Sequence, residues 1–296
     1  MKTLAFISSC ILTGSILLAS CEFNKSASKD FISGAVSTGD GISCYKITVE
    51  TGGQPSKNNQ FVYGETVNLV FENVSGFQKE DGKTYPALSL DLVKNEKDTV
   101  LSYADLLSDI KEGTSLSPLE LQANFTAALP YNNDEQYKAH IHIWDKKGKG
   151  SFTYEMPFTV KDAGLLTVES TGIGYSTIYL WNESQKQPVR TSEIDQNDKI
   201  ILLLEGIKGL SSENEKVYPI LSLELLDQEG TKILDNPNLF STYKEVGIKA
   251  EDVARQLSAT ITFSTGAVKN PYRLTAILSD QKSANQIKVT TELKIK

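Results

Sequence analysis

His140 and His142 are the two imidazoles in this chain of 296 residues. They sit at spacing i, i+2 in Ala139-His140-Ile141-His142-Ile143, an alternating run that reads as a strand, so both project from one face. That is the geometry of a two-His metal pair, which carboxylates would have to complete; two ordinary half-exposed histidines fit the same pattern. A Ser-His-Asp or Cys-His arrangement would have to use one of the same two residues. The sequence holds no G-x-S-x-G elbow, H-E-x-x-H, Walker A or C-x-x-C motif. Gly172-Ile173-Gly174 precedes a strand instead of joining a strand to a helix, so it reads as a turn and not as a dinucleotide loop. The loop Asn132-Asn133-Asp134-Glu135 offers oxygen atoms to Ca²⁺ but lacks the spaced acidic pattern, and reads as a solvated turn. The expectation is a protein that is not an enzyme and uses no cofactor.

Aromatic side chains are the better candidates for binding. Trp144 continues the face of His140 and His142. Tyr179 and Trp181 flank Leu180 on a strand spanning Thr177 to Trp181, with Tyr175 just before it. Exposed rings on a sheet stack on sugars or anchor a protein partner. The competing assignment for all four is packing inside a second sheet or at a domain junction.

The N-terminus carries a different chemistry. Met1-Lys2-Thr3 is a short positive start, and an apolar stretch runs from Leu4 to Ala19. At about 16 residues it is shorter than the roughly 20 that a membrane span needs, and it has the layout of a secretory signal peptide over residues 1–20. Its exit, Leu18-Ala19-Ser20-Cys21, resembles the bacterial lipobox. The resemblance implies cleavage before Cys21, a diacylated Cys21 sulfur, and acyl chains such as palmitate on the mature amino end. Durable attachment takes two membrane signals, and a lipoprotein of this class carries two or three chains.

Charge narrows the partners. The chain has 30 Lys+Arg against 37 Asp+Glu; losing residues 1–20 removes Lys2 and no acid, taking the net charge from −7 to −8. An acidic chain without a basic run does not suit nucleic acid, and its overall charge does not suit anionic lipid. Of the three cysteines, Cys10 leaves with the signal peptide and Cys21 takes the lipid. Cys44 remains, expected as a buried small hydrophobe where the first strand begins.

Residues 21–41 are rich in Ser, Ala, Gly and Lys and read as a flexible lipidated tether reaching roughly 25 Å. Beyond it the chain repeats. Tyr85-Pro86-Ala87-Leu88-Ser89-Leu90-Asp91-Leu92 matches Tyr218-Pro219-Ile220-Leu221-Ser222-Leu223-Glu224-Leu225. Gly76-Phe77 meets Gly209-Leu210, Gly113 meets Gly247, Leu121-Gln122-Ala123 meets Leu257-Ser258-Ala259, and Asp145 meets Asp280. Thr275 and Ile277 stand where the first copy has its histidines. The blocks define two domains, 42–162 and 163–296, each long enough to close its own core.

Strand patterns dominate both copies: Lys46–Glu50, Val67–Phe71, Leu88–Leu92, Phe152–Met156 and Phe158–Val160 alternate or carry apolar runs. Ser117-Pro118-Leu119-Glu120 has the signature of a helical capping box, and Ala250 to Leu257 reads as a short helix. About seven strands per 125 residues predict an all-β chain of two tandem antiparallel β-sandwiches, immunoglobulin-like, with short helical turns. The whole resembles the uncharacterised multi-sandwich lipoproteins of Bacteroidota cell surfaces. That resemblance implies a cell-envelope protein held by lipid in the outer membrane, binding an envelope protein or glycan. The alternatives are a structural accessory subunit of an envelope or secretion machine, and a hydrolase with a carboxylate site.

Overall fold

The computed structural model describes residues 25–263 and 269–296. The signal segment 1–20 and Cys21 lie outside the described residues. The first half contains β1 (Lys25–Lys29), β2 (Val36–Asp40), β3 (Lys46–Thr51), β4 (Gln54–Pro55), β5 (Gln60–Val62), β6 (Thr66–Val74), β7 (Pro86–Lys94), β8 (Asp98–Tyr103), β9 (Leu119–Thr126), β10 (Gln136–Asp145) and β11 (Ser151–Lys161). The second contains β12 (Thr167–Thr171), β13 (Thr177–Asn182), β14 (Gln187–Pro188), β15 (Glu193–Ile194), β16 (Ile200–Glu205), β17 (Ser212–Glu213), β18 (Lys216–Val217), β19 (Pro219–Leu226), β20 (Lys232–Asn236), β21 (Ile248–Lys249), the helix α1 (Ala250–Arg255), β22 (Gln256–Ile261), β23 (Tyr272–Asp280) and β24 (Gln286–Ile295).

The chain is all-β, and its halves share a topology. In the first, β2-β11-β10-β7-β8 form one sheet and β4-β3-β6-β9 the other. In the second, β12-β24-β23-β19-β20 and β14-β13-β16-β22 repeat that order strand for strand. Even the irregular partner recurs: β5 runs parallel to the end of β11, and β15 parallel to the end of β24. The matched blocks of sequence therefore occupy matched strands.

Alternation explains the burial. Leu88, Leu90 and Leu92 point inward while Ser89 and Asp91 do not, and Ala139, Ile141 and Ile143 face them from β10. Residues 152–160 form one continuous strand, β11, with Phe152, Tyr154, Met156, Phe158 and Val160 all buried. The apolar side chains sort into two clusters with no common member. One draws on residues 35–160 and the other on 173–295. Cys44 is half-buried at the margin of the first, its thiol donating to the carbonyls of Lys46 at 3.2 Å and Glu72 at 3.5 Å.

Two local expectations are corrected. The segment assigned to a flexible tether is built into the fold from Lys25 onward. β1 and β2 form a five-residue antiparallel hairpin, and β2 pairs with β11 from Ser151 to Glu155. Its polar composition hides a strand because the ladder partner stands more than a hundred residues away. The capping box at Ser117-Pro118-Leu119-Glu120 does not start a helix. Leu119 opens β9, which pairs with β6 through Leu119↔Val74 and Leu121↔Phe71, burying both leucines. Core pairing outweighs a local signal of about 1 kcal/mol. The helix expected at Ala250 is present as α1.

Asp145 and Asp280, aligned between the copies, pin matching loops at the ends of β10 and β23. Asp145 Oδ2 accepts the Gln78 N–H at 2.6 Å; Asp280 Oδ2 accepts the Ser211 N–H at 2.9 Å and the Ser283 hydroxyl at 2.7 Å. Burial pushes the Asp280 carboxyl up, but these hydrogen bonds outweigh it and hold the pKa below the ordinary 3.8. Asp227 is lowered in the same way, with the Thr231 and Glu229 N–H groups opposing burial. A native pKa below the unfolded one adds stability above the unfolded value, and that stability is lost as pH falls through the native one. Resistance to urea should therefore drop as pH falls below the ordinary aspartate pKa of about 4, and Asp280→Asn should flatten part of that drop. An Asp280→Asn profile that matches wild type would remove Asp280 from the explanation.

Candidate functional site

The residues singled out by sequence do not converge. His140 lies between Asp91 and Glu155 on the outer face of the larger first sheet, with Nδ1 at 3.4 Å from Glu155 Oε1. His142 stacks on Trp144, ring centroids 5.0 Å apart at 20°. Among the described residues no group of three or more His, Cys, Asp or Glu is drawn together as a metal site. Trp181 faces Pro188, and its Nε1 donates to Glu183 at 3.0 Å. Asp134 and Glu135 serve a turn: Asp134 takes a positive φ, and Glu135 is buried against Lys94 at 2.9 Å.

Tyr175 and Tyr179 lie where the halves meet. Together with Tyr131 they line a small cavity of about 90 Å³. Tyr63 and Tyr179 both donate to the Glu205 carboxylate, at 2.8 Å and 3.2 Å, and their rings meet edge to face at 5.1 Å. Burial and then the neighbouring Glu205 charge raise both phenols well above their ordinary pKa, so neither exchanges protons near neutrality. The Asn132 amide donates to the Ser176 carbonyl at 2.9 Å, and the Tyr131 and Thr177 hydroxyls are 3.0 Å apart. Arg190 donates to buried Glu65 at 2.8 Å, which also accepts the Val62 N–H at 2.7 Å. These contacts make the junction a clasp. Tyr63 and Tyr179 are engaged across it, while Tyr175 stays exposed.

The open site is elsewhere, at the end of the first half. A cleft of about 370 Å³ lies between the loop after β6 and the run leading into β9. Phe77, Val74, Leu116 and Leu119 supply apolar walls, while Ser75, Thr84 and Ser117 supply hydroxyls. Leu116 is exposed, and Lys79 is the charged residue in the lining, without an ion pair among the described residues. The size falls within the range of small-ligand and side-chain pockets, about 300–1,000 Å³.

The second half shows how the same place looks when it is filled. Thr84 bridges Thr114 in the first half, and the aligned Val217 pairs with Ile248 in the second. From Thr114 the chain runs almost directly into β9 at Leu119. From Ile248 it first winds through α1, which buries Val253 in the core and packs against β16 and β18. The extra residues are visible in the sequence as a shift in spacing. Gly113 to Leu121 is eight positions and Gly247 to Leu257 is ten. Reading both runs as helices concealed what that shift does.

No family model matches this chain, and no curated protein matches it. Among solved structures it is similar to pT26-6p, at 9% identity and a TM-score of 0.24, with 92% of this chain aligned. The chain spans 65% of the length of pT26-6p. The three FKBP domains of wheat FKBP73 align over 77% of this chain and 94% of that one, at 10% identity and a TM-score of 0.12. Likeness at this level carries no conclusion about function.

Proposed function

We propose that this chain is a lipid-anchored, non-catalytic binding module of the cell envelope, which holds a protein partner in the cleft of its first half. The carrying observation is the asymmetry between the copies: α1 packs Val253 into the second core, at the place where the first half, among its described residues, has an open cleft. That helix also supplies the chemistry of the occupant. α1 presents one small branched apolar side chain, Val253, on a short turn bearing Glu251 and Asp252. A partner segment of that kind, apolar at its tip and acidic at its flank, matches the walls of the open cleft and the unpaired Lys79.

The anchoring rests on the lipobox-like Leu18-Ala19-Ser20-Cys21. It places the protein on a membrane facing an exported compartment, and the outer membrane of a Bacteroidota-type envelope is the proposed location. Two tandem domains, 42–162 and 163–296, fit the separate cores, with the hairpin 25–40 joined to the first. Immunoglobulin-like topology is supported by the order β11-β10-β7-β8 opposite β3-β6-β9, which follows strands G, F, C, C′ and A, B, E of that fold.

The test places a photo-crosslinking residue at Leu116, or at exposed Tyr243 in the second half, in the tagged, lipidated chain. One envelope protein joined at position 116, not at 243, and lost with Lys79→Glu is the expected result. Equal labelling at both positions, or labelling at 116 that Lys79→Glu leaves intact, refutes the cleft as the docking site. Release of the partner by free saccharide would instead make the ligand a glycan.

A further inference from the structure

We infer that Phe31 and Ile32, at the tip of the β1–β2 hairpin, form a membrane-contact site that enters the same bilayer as the lipid on Cys21. This rests on the lipid-anchoring reading and adds a second, protein-borne point of attachment.

Phe31 is 90% exposed and Ile32 93%, the highest values among the large hydrophobic residues described. They are not at a loose end. The Asp30 carboxylate accepts the Ile32 N–H at 2.8 Å and the Ser33 hydroxyl at 2.8 Å. Asp30 N–H donates to the Ala35 carbonyl and Gly34 N–H to the Asp30 carbonyl, both at 2.8 Å. Gly34 takes φ +72°, where a Cβ would be strained. Five ladder pairs then fasten this turn to β2, and β2 to β11. The sequence thus spends ordered hydrogen bonds on a turn that holds two adjacent apolar side chains in water. Such a feature on a soluble domain marks a surface that something covers.

The position in the chain identifies the cover. Cys21 lies four residues before Lys25, so the acylated residue is within about 14 Å of the start of β1. β1 itself extends about 17 Å. Phe31 and Ile32 stand at the far end of β1 from Lys25, so the tip and the acylated residue share one bilayer surface when β1 lies along it. Lys29 borders the tip on β1, while Lys25 lies at the other end of the strand, paired with Asp40 at 3.5 Å. Apolar residues at an acyl boundary, with a lysine whose amine reaches back to the headgroups, are the pattern of interfacial contact.

The experiment uses the full lipidated protein in vesicles of phosphatidylethanolamine and phosphatidylglycerol, comparing Phe31→Trp with wild type so that emission from Trp144 and Trp181 is subtracted. Intact mass reads the acyl chains independently. With acyl mass present, the expected result is a blue shift of the added tryptophan, quenching by shallow doxyl lipids, and loss of quenching by aqueous iodide. Acyl mass present with iodide quenching retained overturns the contact site alone. Shielding from iodide without doxyl quenching also overturns it, since protein would then cover the tip. Absence of acyl mass overturns the anchoring, and the doxyl result with added vesicles still decides the tip. Unchanged far-ultraviolet circular dichroism certifies the fold, and Ile32→Trp repeats the test from the neighbouring position.

Discussion

Gly76→Ala should destabilise the first half by more than the ~1–3 kcal/mol that backbone strain alone brings. Gly76 has φ +100°, and a Cβ built there falls 1.9 Å from the Gly41 carbonyl oxygen. That obstacle is backbone, which no rotamer change relieves. Relief would have to part the Ser43–Ser75 bridge that closes this end of the half. Gly209 is the aligned residue, with φ +91° and a Cβ position 2.2 Å from the Gly172 carbonyl oxygen. Gly209→Ala should do to the second half what Gly76→Ala does to the first. Gly76 also lines the open cleft beside Phe77, so its substitution should weaken partner capture as well as stability. Urea midpoints of the two variants check the first effect, and crosslinking from position 116 the second. A Gly76→Ala protein as stable as wild type would mean that the two strand ends are not held as closely as described.

Leu90→Ala should cost about 2–5 kcal/mol, the range for deleting a buried leucine from a core that cannot collapse around the gap. Leu90 is fully buried on β7, opposite Ile141 on β10 and Tyr103 on β8. Leu223 holds the same place on β19, opposite Ala276. Because the two cores share no residue, each substitution should act mainly on its own half. The effects should add to within about 0.5 kcal/mol in the double variant. Calorimetry checks this: Leu90→Ala should lower the melting of one half, and Leu223→Ala that of the other. If either substitution lowered both equally, the clasp of Tyr63, Tyr179 and Glu205 would be fusing the halves into one cooperative unit.

How much of this was legible in the sequence follows from the range of the interactions. Leu88-Ser89-Leu90-Asp91-Leu92 displays its buried face because strand alternation is local, and the block matched to it lies on the matching strand. Ala250–Arg255 shows its helix for the same reason. The hairpin 25–40 was hidden, since Lys25-Ser26-Ala27-Ser28-Lys29 has no apolar face, and what orders it is the ladder to β11. Ser117-Pro118-Leu119-Glu120 carried a valid local signal that pairing with β6 overrode. Tyr179 left binding and junction packing both open in the sequence, because its partners, Tyr63 and Glu205, come from different strands. The cleft depends on the difference between two loops, a comparison that patterns within one loop do not express.

The edge of β11 is completed in two pieces: β2 covers Ser151–Glu155 and β5 covers Thr159–Lys161. Both pieces are synthesised long before β11, so the first half cannot close until its last strand exists. Closure across such separations is slow, with folding times of about milliseconds to seconds for sheet proteins of this kind. A polypeptide in that situation stays open along the edge of its central sheet for an interval after synthesis, and that edge is where a misplaced strand from another chain would compete.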